Sequence, residues 1–148
     1  MVFIPDTYTY APVTPFVDGA QGNLYVYAIA HDALTAKTPY FVLVNEYGHV
    51  TAAPSAIDSY CYIGVPNDTY AAGDLAKLQI GGYCADVITP SLSVTAGHAF
   101  GMGGGAVTDE GVDFTGLVNE WAVCVTTSTS STTQDMMLCG HLVLTAAS

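Results

Sequence analysis

Arginine is missing from this chain, and lysine occurs only at Lys37 and Lys77, against 13 Asp and Glu residues in 148. Nucleic acid is thereby excluded as a partner, because affinity for a phosphate backbone comes mainly from Lys and Arg neutralising phosphates. Charge of either sign is scarce. Only 10% of residues are charged, against roughly 25% in an ordinary soluble domain, so much of the surface is neutral, aromatic, or covered in an assembly. Long apolar runs are also lacking: none approaches the ~20 residues of a membrane span. The start, Met1 to Asp6, has no basic n-region and no long apolar h-region, so no secretory signal or membrane partner is read there. Close cysteine pairs are absent too. Cys61, Cys84, Cys124 and Cys139 stand far apart with no CxxC, which favours four reduced thiols acting as small hydrophobes over disulfides or a metal site. The formal charge of -11 makes copies repel one another in solution.

What is present is apolar and β-forming. Residues 1–18 read as an extended N-terminal arm, since Pro5, Pro12 and Pro15 forbid a regular helix and disfavour a central strand. Val2, Phe3, Ile4, Tyr8, Tyr10 and Phe16 are poor choices for a solvated tail. They are expected to lie against another surface, as an interface with a neighbouring subunit or against the chain's own body. Residues 19–148 read as a single β-domain, a length near that of a typical domain.

From Asn23 onward, β-branched and aromatic runs alternate with Gly, Pro, Asn and Asp clusters. The spacing predicts strands over 24–30, 40–46, 50–53, 60–65, 75–80, 83–87, 98–102, 121–126 and 136–144. The fold class expected is all-β, a compact β-barrel or β-sandwich with an extended N-terminal arm. Alternation in Leu75-Ala76-Lys77-Leu78-Gln79-Ile80 puts Lys77 and Gln79 on a wet face and Ala76, Leu78 and Ile80 on a dry one. Tyr40-Phe41-Val42-Leu43-Val44 is apolar on both faces, as in a strand buried twice. Glycines predict tight hairpins at Glu46-Tyr47-Gly48-His49 and Ile80-Gly81-Gly82-Tyr83. The Ser- and Thr-rich segment 126–134 reads as a mobile loop or hairpin tip. Segments 34–51 and 92–108 share a loose layout of strand, glycine turn and Val-Thr ending.

Few residues assemble into recognisable chemistry. His31-Asp32 are adjacent, so on a strand they point to opposite faces, and no GxSxG elbow accompanies the serines. Cys139 and His141 would face the same way on one strand, a single pair where structural zinc sites show two. Asp109-Glu110-Gly111-Val112-Asp113 lacks the ligand ladder of an EF-hand and reads as a solvated acidic turn. Gly101-Met102-Gly103-Gly104-Gly105 lacks the Lys-Ser/Thr of a phosphate loop. Trp121 and ten tyrosines suit either a carbohydrate platform or interface cores, and the scarcity of charge favours the latter. No catalytic residue, cofactor or metal is assigned, and the chain is not expected to be an enzyme.

Between Leu34 and Thr108 one phrase is more specific. Ile63-Gly64-Val65-Pro66, then Tyr70-Ala71-Ala72-Gly73-Asp74-Leu75-Ala76-Lys77-Leu78-Gln79-Ile80-Gly81-Gly82, then Val94-Thr95-Ala96-Gly97-His98, resembles the layout of small capsid decoration, or cement, proteins of tailed bacteriophages. The resemblance implies a non-enzymatic virion protein on the outer surface of the capsid. Its partners would be the major capsid protein and its own copies, as a homotrimer, and it would stabilise the head. Other virion components of tail or fibre, and a carbohydrate-binding β-module, are the alternatives.

Overall fold

The structure is a computed structural model that describes residues 13–44, 49–51, 59–103, 106–111 and 120–145. Eleven strands make it all-β: β1 (Phe16–Asp18), β2 (Asn23–Ala30), β3 (Tyr40–Leu43), β4 (His49–Thr51), β5 (Ser59–Pro66), β6 (Leu75–Val94), β7 (Ala99–Gly103), β8 (Ala106–Gly111), β9 (Ala122–Cys124), β10 (Ser128–Cys139) and β11 (Val143–Thr145). They hydrogen-bond in the order β1-β2-β4-β3-β5-β6-β10-β9-β7-β8, with β11 on β5 and a further pairing of β2 with β6. All pairings are antiparallel except β2 with β4. The expectation of an all-β domain holds, and the arrangement is sandwich-like.

Two apolar clusters explain the layering. One gathers Val26, Ala28 and Ala30 of β2, Tyr40 and Val42 of β3, Val50 of β4, and Ala76, Leu78 and Ile80 of β6. The other takes Phe41 of β3, Cys61, Ile63 and Val65 of β5, Cys84 and Val87 from further along β6, residues of β7 to β11 including Phe100 and Met136, and Trp121 just before β9. Because successive side chains on a strand point to opposite faces, β3 and β5 form a wall between the clusters. Val42 faces one and Phe41 the other, so the double burial read from the sequence of β3 is real. Gly64 keeps that wall thin: a Cβ there would come within 2.9 Å of both Leu78 and Val42.

The 20-residue β6 ties the layers together. Its first part pairs with β2, from Ile29↔Leu75 to Leu24↔Gly81, and its second part pairs with β10, from Cys139↔Gly81 to Ser128↔Val94. The predicted hairpin at Gly81-Gly82 is therefore wrong, and the two strands expected over 75–80 and 83–87 are one. These glycines serve the close approach of β2. A Cβ on Gly81 would sit 2.9 Å from Leu24, and Gly82, at φ +93°, lies against Asn23. Gln79, expected on a wet face, is buried and donates to the carbonyls of Gly81 and Tyr83 across this bend at 3.2 and 2.8 Å.

The Ser- and Thr-rich segment corrects another expectation. Residues 128–134 continue β10 and pair with β6, because threonine's branched Cβ suits a strand even on an exposed face. Bulges bend this ribbon. Asp86 adopts φ 56° and its N–H donates to the Asp135 carboxylate at 3.0 Å, while Ser130 adopts φ 46° and its N–H donates to Ser93 Oγ at 2.9 Å. The predicted hairpin at residues 46–49 falls largely outside the described residues.

Candidate interaction surface

Three short turns of one kind lead into strands. In Thr35–Thr38, Ala71–Asp74 and Thr95–His98 the fourth N–H donates to the first carbonyl, at 3.3, 3.1 and 3.0 Å. The third residue, Lys37, Gly73 or Gly97, has φ of 65, 90 or 93°, as a type II turn requires. The Ala-Gly-Asp and Ala-Gly-His phrases that carried the sequence resemblance are two of these turns. They fix how strands enter the sheet, and no ligand chemistry attaches to them.

Of the interface residues read from the arm, Val2, Phe3, Ile4, Tyr8 and Tyr10 lie outside the described residues. Phe16 is described. It belongs to β1, which pairs with β2 in the register Phe16↔Tyr25, Val17↔Leu24, Asp18↔Asn23. Its ring stacks on Tyr27 of β2, centroids 5.1 Å apart and planes 13° from parallel, and lies 6.2 Å from Tyr25. Lys77, opposite Tyr27 on β6, runs its stem across these rings. Its ammonium sits 4.4 Å from the Tyr25 centroid and 5.9 Å from that of Phe16, and ion-pairs with Asp18. The hydrogen bond from Lys77, helped by its charge, holds the Asp18 carboxyl below the usual carboxylate range, and the same bond raises Lys77. Tyr27 remains 40% exposed. Aromatic rings, one cation and one anion thus share the outer face of β1, β2 and β6, at an end of the hydrogen-bonded path.

The other sequence candidates do not assemble into a reactive centre. His31 and Asp32 follow β2 in an exposed bend. Cys139 ends β10, and Gly140, at φ 75°, turns the chain before His141, so the two do not share a strand as expected. His141 Nδ1 lies 3.0 Å from the Leu142 carbonyl. Asp109 and Glu110 stand on β8 rather than in a turn. Asp109 meets His98 Nδ1 at 3.2 Å and accepts the Gly111 N–H at 2.8 Å, and Glu110 accepts from Thr108 at 2.5 Å. Asp113 lies outside the described residues. Among the described residues, no three His, Cys, Asp or Glu side chains approach closely enough to hold a metal ion. All four cysteines are free. Burial pushes the Cys61 thiol up to about 12, and burial also raises Cys84, partly offset by Lys37, whose Nζ lies 3.9 Å from the Cys84 sulfur.

Trp121 is only 3% exposed and packs in the second cluster, so it cannot be the platform the sequence offered it for. Among the described residues Tyr27 and Tyr83 are exposed rings, and Phe16 and Tyr25 lie half-buried beside Tyr27. Alternation along β2 puts Tyr25 and Tyr27 on one face, a signal present in the strand read over 24–30. The stacking of Phe16 and the reach of Lys77 depend on pairings with β1 and β6 that no local signal reveals.

No protein-family model matches this sequence, and no curated protein matches it. Among solved structures it is similar to the N base of head fiber gp8.5 from bacteriophage phi29, at 13% identity and a TM-score of 0.50. The match covers 78% of this chain and 93% of that one, a likeness of fold.

Proposed function

We propose that this chain is a non-enzymatic structural component of a bacteriophage virion, seated on the outer surface of the head as a decoration protein or the base of a head fibre. The observation that carries the reading is the shared fold with the head fiber N base over 93% of that chain. It is reinforced by the independent resemblance of the phrase between Leu34 and Thr108 to capsid decoration proteins. The composition agrees, since two basic residues and a formal charge of -11 leave no means of gripping nucleic acid.

The mechanism is mass action. A subunit that binds the assembled shell but not free capsomers lowers the free energy of the shell alone, and a homotrimer touching several copies of the major capsid protein multiplies the effect. The contact is apolar rather than ionic, because so few cations are available to pair with the partner's carboxylates and an unpaired buried carboxylate costs more than it returns. The test is co-sedimentation of purified chain with heads lacking it, at low and high salt. Saturable binding that changes little with salt, with heads that then withstand higher temperature, is the expected result. No binding, or binding to tails alone, would remove the head assignment.

A further inference from the structure

The cluster on β1, β2 and β6 has a chemistry that the virion reading does not use. We propose that it is a binding subsite for a neutral pyranose ring of a glycan, with the exposed Tyr27 ring, backed by Phe16, as the stacking platform and Lys77 and Asp18 as the polar rim. A pyranose presents an apolar face of C–H groups and a rim of hydroxyls that both donate and accept. The surface offers the complement: a ring 40% exposed, stacked on a second ring, beside an ammonium and a carboxylate whose side chains are 32% and 50% exposed.

Other ligand classes fit less well. A quaternary ammonium would need the space above the Tyr25 ring, and Lys77 already holds its own cation there, 4.4 Å from the centroid. An anionic sugar meets Asp18 locally and a chain of formal charge -11 at long range. Nucleic acid is excluded by the lack of basic side chains. A neutral polyhydroxylated ring is the class that both rim charges can serve, Lys77 donating to hydroxyl oxygens and Asp18 accepting from hydroxyl protons.

The experiment is saturation-transfer difference NMR on the full chain, with maltotetraose and the tetramer of N-acetylglucosamine as probes. Transfer to ring C–H protons of at least one probe is expected. Tyr27→Ala, with its circular dichroism unchanged, should weaken binding about tenfold or more, while Tyr83→Ala, at an exposed tyrosine outside the cluster, should leave it intact. If Tyr27→Ala does not fold, Lys77→Gln serves in its place and should weaken binding severalfold. Absence of transfer from both probes, or binding indifferent to the Tyr27 and Lys77 variants, overturns the proposal. Because no heads are present, failure here is separate from failure of the virion reading. Heads that bind the chain through Tyr27 while neither sugar binds would identify the surface as a protein contact and overturn it equally.

Discussion

The antiparallel pairs β3–β4 and β7–β8 begin alike and end in different environments. Each follows a turn of the same geometry, Thr35-Ala36-Lys37-Thr38 before one and Thr95-Ala96-Gly97-His98 before the other. Each sends a phenylalanine, Phe41 or Phe100, into the same apolar cluster. Yet β3 lies in the middle of the molecule, buried on both faces, whereas β8 ends the hydrogen-bonded path with Asp109 and Glu110 exposed. Local turn chemistry therefore sets how a strand enters the sheet, and the pattern of its two faces decides how deep it lies. The weak internal similarity in the sequence reflects the first rule alone.

The comparison breaks hardest at what the pairs share. Phe41→Ala and Phe100→Ala should each destabilise by about 3–5 kcal/mol, since both rings are buried in one cluster, as read from urea midpoints at constant slope. If only one is costly, the two pairs do not meet in a common core.

Alkali probes the cluster from the β5 side. Cys61, opposite Leu43 of β3, is pushed up to about 12 from an ordinary 9.0 by burial. The unfolded thiol ionises first, so this contribution is intact below pH 9 and is lost as pH rises toward about 12, with a slope of about 1.4 kcal/mol per pH unit. Urea denaturation across that range should show the loss in the native chain and a flatter profile in Cys61→Ala.

Smaller effects separate the pairs. Val42→Thr puts a hydroxyl into a fully buried position of β3 and should cost about 1–2 kcal/mol, whereas Thr108→Val on β8 should change stability by no more than about 0.5 kcal/mol. The turns should respond in opposite directions. Gly97→Ala meets no steric obstacle but must hold φ near 93°, a cost of about 1 kcal/mol. Lys37→Gly relieves a left-handed lysine and should gain up to about 1 kcal/mol. Equal responses would show that the turns are not equivalent.

What the sequence revealed follows from the range of each cause. Alternation and β-branching are local, so the all-β class, most strands and the two-faced β3 were legible in it. Gly81-Gly82 misleads because adjacent glycines look the same in a hairpin and in a bend, and what distinguishes them here is contact with Leu24 and Asn23, nearly 60 residues earlier. Residues 128–134 mislead because their polarity, which reports exposure, outweighed the strand preference of threonine. The aromatic cluster combines Phe16, Tyr27 and Lys77 from three strands, and its register is set by pairing rather than by any motif.

The most direct test of the proposed virion role is cryo-electron microscopy of phage heads assembled in strains with and without the gene for this chain. The expected result is extra density repeated on the outer head surface, shaped as the β-sandwich and in threefold groups, that vanishes when the gene is removed. Identical head maps from the two strains would contradict the account.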